Sequence, residues 1–264
     1  MAFYIGRGFA GRWITRISLR SRRTTFGAST HLAKQCQGAI AIHPAIYRQL
    51  TPEQVTDLVK RVPTIKLIQT SSAGTDLYQK VILDKMGIPV CNNGGANSVA
   101  VSEHAMLLML SVSRRLITQH TNVTAGRWHG NAPPTVHQIR DKILGIIGLG
   151  TIGKKVARLA QAFGMQVTYY DISRLKEEQE DALGVRFRLL PEIIKNSDII
   201  SLHAPYNPHT RHMINKDNIK LVKKGALLIN TSRGGLIDTN VLLDALDDGT
   251  ISGAGLDVLE GEQL

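Results

Sequence analysis

The stretch KILGIIGLGTIGKKVARLAQAFGMQVTYYD, residues 142–171, decides the fold. It begins with an apolar run, residues 143–147, that is short enough for a buried strand. Three glycines follow in the spacing G-x-G-x-x-G, and an apolar pattern of helical period then runs to Gly164. A second apolar run, residues 165–170, leads to Asp171. This order predicts a strand, a tight turn, a helix and a second strand, the unit from which parallel sheets are built.

Each glycine in this stretch has a physical role in dinucleotide binding. Gly148 permits the tight turn, Gly150 lets a pyrophosphate approach the backbone, and Gly153 lets helix and strand pack closely. Thr151 and Ile152 begin the helix, whose free N–H groups and positive dipole end favour phosphate. Glycines alone mark many turns, and the alternative is a glycine-rich turn in another α/β protein. The complete order of elements favours dinucleotide binding.

Asp171 lies 21 residues after Gly150, close to the ~20 residues expected for the acid that binds the ribose hydroxyls. Because a carboxylate would repel a 2′-phosphate, this residue predicts NAD rather than NADP. Arg174 lies close enough in sequence to meet such a phosphate, and the alternative for it is a solvated surface arginine.

The composition is that of a globular protein with one large domain or two modest ones. The 264 residues are 43% hydrophobic and 20% charged. No apolar run approaches the roughly 18 residues that a membrane helix needs, so we expect no membrane partner. The two cysteines, Cys36 and Cys91, form no spaced framework, which favours a reducing compartment such as the cytoplasm.

The net charge of +11 comes mainly from one end of the chain. Residues 1–52 carry eight basic side chains and no acidic one, which leaves +3 for the remainder. Residues 1–30 have the composition of a mitochondrial transit peptide, which would imply the matrix. A disordered basic tail, or a start foreign to the folded unit, is the alternative. No basic and aromatic residues interleave, so no nucleic acid is expected as a partner.

Strand and helix patterns alternate along the rest of the chain, which predicts an α/β fold with a parallel sheet. We expect a basic segment over residues 1–37, a partial smaller domain over 38–101 and a dinucleotide-binding domain over 102–264. The predicted helix from residue 99 to about residue 117 is apolar nearly all round, which is typical of a core or an interface and favours a dimer.

Ligands of such a sheet bind at the carboxyl ends of its strands. Arg233 falls at a predicted strand end and precedes two glycines, so its guanidinium could grip a carboxylate with two hydrogen bonds. The alternative for this arginine is a surface ion pair. His209 and His212 have ligand-like spacing, but no further ligand cluster supports a metal.

These motifs resemble the D-isomer-specific 2-hydroxyacid dehydrogenase family from about residue 38 onward. The motifs of the dinucleotide-binding part are the fingerprint over 142–171, HAP with TRH over 203–212, NTSRGG with Asp238 over 230–238 and GAGLDV with Glu262 over 253–262. The earlier part of the chain carries SAGTD over 72–76 and NSVAVSEH over 97–104. The resemblance implies a Rossmann-type doubly wound sheet and a smaller, incomplete flavodoxin-like domain, a small 2-hydroxy or 2-oxo acid substrate, NAD, and a homodimer.

The resemblance also implies residue roles. Arg233 would bind and polarise the 2-oxo acid, and Glu262 would orient a catalytic histidine and raise its pKa. The substrate carboxylate would be held by backbone N–H groups of Ser72, Ala73 and Gly74. The residues expected to face NAD are Gly148, Gly150, Thr151, Ile152, Gly153, Asp171, His203, Ala204, Pro205, Thr210, Thr231, Ser232 and Asp257.

Two parts of the family pattern have no match in this sequence. The opening strand and helix of the family are not recognisable in residues 1–37. The catalytic histidine of the family follows the glutamate, whereas the sequence ends two residues after Glu262. We therefore expect an incomplete copy of an NAD-dependent dehydrogenase. The alternative is a catalytically inactive NAD(H)-binding regulatory or interaction protein. The sequence leaves the substrate open among glyoxylate, hydroxypyruvate, pyruvate, 3-phosphohydroxypyruvate and larger 2-oxo acids.

Overall fold

The computed structural model describes residues 39–42, 60, 67–70, 73–74, 84–127 and 136–261. The chain divides into two compact units between Asn93 and Gly94. The boundary expected after residue 101 falls inside a helix, Ser98–Ser113, whose buried side chains belong to the core of the second unit. The division therefore lies before this helix, because a helix packs as one element.

The described residues of the first unit form three parallel strands, β1 (Ala39–Ile42), β2 (Leu67–Thr70) and β3 (Val90–Cys91), in that order across a sheet. Helix α1 (Asp84–Met86) precedes β3, and Gly87 follows the helix with a positive φ of 64°. This parallel arrangement is that of a small α/β unit. The rest of the expected flavodoxin-like pattern lies outside the described residues.

The second unit is built on a six-stranded parallel sheet with the order β6-β5-β4-β7-β8-β9. Its strands are β4 (Ile143–Ile147), β5 (Gln166–Tyr170), β6 (Val185–Phe187), β7 (Ile199–Leu202), β8 (Ala226–Asn230) and β9 (Ile251–Leu256). The chain runs outward from β4 to one edge, then returns beside β4 and runs to the other edge. The predicted doubly wound Rossmann-type sheet is confirmed, with its switch point between β4 and β7.

Helices cover both faces of this sheet. They are α2 (Ser98–Ser113), α3 (Leu116–Thr124), α4 (Thr151–Ala162), α5 (Glu177–Leu183), α6 (Leu190–Asn196) and α7 (Thr239–Asp247), with 3₁₀ turns at Ile219–Leu221 and Gly234–Leu236. One apolar cluster joins α2 and α4 to the sheet, and the other joins α6 and α7 to it. Continuous apolar strands fit this two-sided burial.

Three elements differ from the sequence-based expectation. The helix expected over residues 99–117 is two helices, because Arg115 adopts a left-handed φ of 51° and the carbonyl of Ser113 accepts a hydrogen bond from the His137 backbone N–H. The alternation of strands and helices also predicts a helix over residues 216–222, but only a 3₁₀ turn forms there. Helix α5 was not anticipated, because its acidic sequence shows little apolar period.

Candidate active site

The glycine-rich turn after β4 has three glycines with different surroundings. A Cβ on Gly148, whose φ is +96°, would lie 2.6 Å from the backbone N of Ala204. A Cβ on Gly153 would lie 2.3 Å from the carbonyl oxygen of Gly148. A Cβ on Gly150 would meet nothing within 4 Å. Two glycines are thus needed for packing, and the third leaves open space above the first turn of α4, where phosphates bind.

Thr151 and Ile152 form that first turn of α4, which has Gly150 as its N-cap and no side-chain capping hydrogen bond. The first N–H groups of a helix have no intrahelical partner. The turn therefore offers donors and the positive end of the helix dipole to an anion.

Asp171 lies at the carboxyl end of β5, beside the glycine-rich turn. Its Oδ2 accepts a 2.7 Å hydrogen bond from the Leu149 backbone N–H, and its Oδ1 accepts a 3.0 Å bond from the Ser173 backbone N–H. The carboxylate therefore ties the turn after β4 to the turn after β5, in the position expected for the acid that binds ribose.

Arg174 is held in an ion pair. Its Nε donates to Oε1 of Glu180 at 3.0 Å, and its guanidinium lies 5.4 Å from the centre of the Phe187 ring. Burial acts to raise the pKa of Glu180, but hydrogen bonds from Arg174, Tyr169 and the Phe187 backbone N–H outweigh it and hold this pKa below its usual value. The Arg174 side chain is still 52% exposed, so it is a surface arginine whose Nε is committed to an ion pair.

The His203-Ala204-Pro205 segment follows β7 at the switch point. The imidazole Nε2 of His203 shares a 2.9 Å hydrogen bond with the Ser201 hydroxyl, and burial lowers the pKa of His203 to about 4. Thr210 closes the next loop, because its hydroxyl donates to the carbonyl of Pro205 at 2.7 Å. Because its pKa is about 4, His203 is neutral at physiological pH.

The turn after β8 carries Arg233. The side chain of fully buried Asn230 accepts from the Ser232 backbone N–H at 3.0 Å and donates to the Arg233 carbonyl at 2.9 Å. The Ser232 hydroxyl donates to the Ala204 carbonyl at 2.6 Å. These bonds fix the turn against the segment after β7.

Thr231 presents a buried hydroxyl without a hydrogen-bond partner within the described part of the chain. Buried polar atoms are nearly always paired, so an orphaned hydroxyl at a strand end is typical of a site that a ligand completes. The Arg233 guanidinium donates to the carbonyl of Ser232 at 2.7 Å.

Asp257 follows β9, and its backbone N–H donates to the Asn230 carbonyl at 2.9 Å. Its exposed carboxylate lies 3.3 Å from Nε2 of His104 on α2. Three residues further on, Glu260 binds the ring of His212. His104, Glu260 and Asn230 stand within or beside the sequence motifs, but the motifs alone assign them no role.

The structure thus joins the ends of β4, β5, β7, β8 and β9 along one edge of the sheet. Contacts run from Asp171 to the glycine-rich turn, from Gly148 to Ala204, from Ala204 to Ser232, and from Asn230 to Asp257. Of the residues expected to face NAD, these contacts involve Gly148, Asp171, Ala204, Ser232 and Asp257. Of the loop expected to bind substrate, Ala73 and Gly74 are half-buried in the first unit, where the Asn92 amide donates to the Ala73 carbonyl at 2.8 Å. Ser72 and Glu262 lie outside the described residues.

Over the positions that the structure describes, no group of three His, Cys, Asp or Glu side chains could hold a metal ion. Within the same positions, no helix has both the length and the apolar character to cross a membrane.

The family model for the NAD binding domain of D-isomer specific 2-hydroxyacid dehydrogenases matches residues 106–264. The chain belongs to this family. The matched domain is the six-stranded unit with the glycine-rich turn, and the cofactor of the domain is NAD.

Named relatives give the same result. The glyoxylate reductase of Aeropyrum pernix is 37% identical over 226 residues, which cover 83% of this chain and 67% of that protein. The glycerate dehydrogenase of Methylorubrum extorquens is 37% identical over 211 residues, which cover 78% of this chain and 64% of that protein. The chain therefore spans about two thirds of the length of these relatives.

A solved structure shares the fold. The D-lactate dehydrogenase from Aquifex aeolicus, complexed with NAD and lactic acid, superposes with a TM-score of 0.74 at 37% identity. The match covers 84% of this chain and 65% of that one.

Proposed function

We propose that this chain is an NAD-dependent dehydrogenase that interconverts a D-2-hydroxy acid and its 2-oxo acid. The observation that carries the proposal is the chain of contacts that sets the Arg233 turn against the cofactor edge, through the 2.6 Å bond from Ser232 to Ala204. A cation fixed beside a nicotinamide site is suited to an anionic substrate. The names of the relatives, which include glyoxylate reductase and glycerate dehydrogenase, support this substrate class.

The residues around the glycine-rich turn fit the cofactor. Open space at Gly150, the uncapped start of α4 and the unpaired hydroxyl of Thr231 together offer room and hydrogen-bonding groups. Bound NADH supplies a hydride to the carbonyl carbon of the oxo acid. Asp171 would bind the adenosine ribose in this arrangement, and the 203–205 segment would line the nicotinamide side.

Arg233 would hold the substrate and polarise its carbonyl oxygen, which gains negative charge as the hydride arrives. The oxygen must also receive a proton, and in the family a histidine oriented by a glutamate supplies it. Glu262 is our candidate for that glutamate. Ser72, Ala73 and Gly74 are our candidates for the backbone N–H groups that bind the substrate carboxylate.

The test of this function is a substrate profile. NADH oxidation is measured with glyoxylate, hydroxypyruvate, pyruvate and 3-phosphohydroxypyruvate, and we expect at least one to be reduced. Failure to reduce any 2-oxo acid would contradict the proposal. Binding of NADH without any turnover would favour the alternative of a regulatory NAD(H)-binding protein.

Arg233→Gln separates substrate binding from cofactor binding. We expect kcat/KM for the oxo acid to fall about 100-fold, because a charged hydrogen-bonding partner of the substrate is removed. The Kd of NADH should stay the same. Arg158→Gln, an exposed arginine on α4, is the matched control and should leave both values unchanged. A loss of NADH affinity equal to the loss of kcat/KM would count against the substrate role of Arg233.

We also propose that two copies associate through α2 and α3. Large apolar side chains are exposed along these helices, including Ile117, which is 74% exposed. The further members of this apolar face are Val99, Leu107, Leu116 and Val123. Large exposed apolar side chains concentrated on two consecutive helices are typical of a protein interface. For the compartment we propose the cytoplasm, which the free thiol of Cys91 supports, with the mitochondrial matrix as the alternative.

A further inference from the structure

One carboxylate joins three separate segments near the Arg233 turn. Oε1 of Glu260 binds Nε2 of His212. Oε2 of Glu260 accepts a 3.2 Å hydrogen bond from the backbone N–H of Thr239 and a 3.0 Å bond from its hydroxyl. The residues after β9 are thereby connected to the start of α7 and to the loop that carries His212.

His212 is itself held by the residues that follow Arg233. Its backbone N–H donates to the Gly235 carbonyl at 2.9 Å, and its carbonyl accepts from the Asn215 amide at 2.9 Å. Its Nδ1 lies 3.9 Å from a carboxylate oxygen of Asp238. His212 adopts a positive φ of 48°, which a residue other than glycine keeps only where its surroundings impose it.

The segment that carries Glu260 packs directly on the neighbour of Arg233. A Cβ on Gly234 would lie 2.0 Å from the carbonyl carbon of Leu259 and 2.3 Å from the backbone N of Glu260. The two stretches of backbone therefore touch at a point where no side chain fits. A shift of Leu259 and Glu260 would be transmitted to the Arg233 turn without any intervening side chain.

The charge of Glu260 is maintained by its partners. The hydrogen bond from His212 lowers the pKa of Glu260, burial acts in the opposite direction, and the bonds from Thr239 again lower this pKa. The side chains of Glu260 and His212 are 31% and 28% exposed, and half-exposed pairs contribute little to the free energy of unfolding. The contact is therefore suited to fixing positions rather than to stabilising the fold.

We propose that Glu260, acting through His212 and Thr239, is a positioning residue that holds the 257–261 segment against the Arg233 turn. This contact sets the place of the Arg233 guanidinium, and through it the substrate. The inference rests on the proposed function for the role of Arg233. It adds a residue pair, Glu260 with His212, to the groups that determine how the 2-oxo acid is bound.

The experiment compares Glu260→Ala, Glu260→Gln and His212→Ala with a control, Glu178→Ala, which removes an exposed carboxylate from α5. Three quantities are measured on each protein: kcat and KM for the oxo acid, the Kd of oxamate in the presence of NADH, and the Kd of NADH alone. Oxamate is an unreactive analogue of a 2-oxo acid and reports on the place of the guanidinium without turnover.

We expect Glu260→Ala to lower kcat/KM about tenfold or more and to weaken oxamate binding by a similar factor, because misplacement of a binding group is costly. The Kd of NADH and the Tm should match the control. Glu260→Gln keeps the acceptor oxygen for Thr239 and should recover most of the loss. His212→Ala should resemble Glu260→Ala. A variant that carries both substitutions should lose no more kcat/KM than either single variant, because the two side chains act as a unit.

Two results would overturn the inference. One is that all variants behave like Glu178→Ala. The other is that NADH binding, Tm and kcat/KM fall together in Glu260→Ala, which would indicate a general structural role.

If the unaltered protein neither turns over a 2-oxo acid nor binds oxamate, the proposed function fails, and hydrogen exchange decides the contact separately. Faster exchange of the backbone amides of 257–261 in Glu260→Ala, but not in Glu178→Ala, would then support the contact. Unchanged exchange would overturn it.

Discussion

Gly150 and Gly153 stand three residues apart and have opposite surroundings. The Cβ of Gly150→Ala enters open space, whereas that of Gly153→Ala lies 2.3 Å from the Gly148 carbonyl. We expect Gly150→Ala to keep its Tm and to bind NADH about tenfold more weakly, because the methyl group occupies the approach of the pyrophosphate. Gly153→Ala should lose about 2 kcal/mol of stability through overpacking. Thermal melts and NADH titrations check both, and equal stability of the two variants would contradict the assignment.

His203 should make the stability of the protein sensitive to mild acid. Its pKa is about 4 in the folded chain and 6.5 when unperturbed, so the unfolded state binds the proton first as the pH falls. The stability contributed by neutral His203 is complete above pH 6.5 and is lost between pH 6.5 and 4, with roughly 2 kcal/mol gone at pH 5. Urea unfolding of the unaltered protein and His203→Asn at pH 7.5 and pH 5 measures this difference. Parallel losses in the two proteins would show that His203 is not responsible.

Helix α2 and strand β9 are packed together at glycines. A Cβ on Gly253 would lie 2.5 Å from Cγ1 of Val112, and a Cβ on Gly255 would lie 2.9 Å from Cβ of Leu108. We expect Gly253→Ala to destabilise the protein by about 1–3 kcal/mol, because the helix must move away. Adding Val112→Ala should restore space, so that the double variant loses about 1 kcal/mol less than the sum of the two single losses. Urea unfolding checks this, and strictly additive losses would mean that the two residues do not compete for space.

The elements that could be predicted from the sequence are those with a clear apolar period and glycine punctuation. Strands β4 and β5 are predicted within a residue of their ends, since each is a short apolar run between turns. The break between α2 and α3 could not be predicted. It depends on a hydrogen bond from His137 to Ser113, and no local pattern around residue 115 signals it.

The parts of the site that lie at strand ends could be predicted from the sequence. The glycine-rich turn, Asp171 and Arg233 follow from the rule that the carboxyl ends of parallel strands share one edge. The pairing of His212 with Glu260 could not be predicted in this way, because the two residues lie 48 positions apart in sequence and meet only in the folded chain. The bond between Arg174 and Glu180 could not be predicted either, because Glu180 lies on helix α5, which the sequence pattern does not indicate.

The apolar face of α2 and α3 should determine the mass of the protein in solution. If two copies associate there, the mass is twice 28.9 kDa, and Ile117→Glu should reduce it to that of one chain. Leu243→Glu, an exposed leucine on α7, is the matched control and should leave the mass unchanged. Sedimentation equilibrium measures both. A single-chain mass for the unaltered protein would contradict the dimer, and a twofold mass in Ile117→Glu would place the interface elsewhere.

The buried amide of Asn230 has a consequence for how ligands are received. It bonds Ser232 and Arg233 at once, and its own backbone carbonyl bonds Asp257, so these two turns are shaped by protein atoms alone. Little conformational entropy then remains to be lost there when a ligand arrives. We therefore expect the two turns to keep their shape when a ligand binds. The affinity for each competing acid would then depend on how well that acid fits this fixed arrangement. A change of specificity would require different side chains rather than a change of loop mobility.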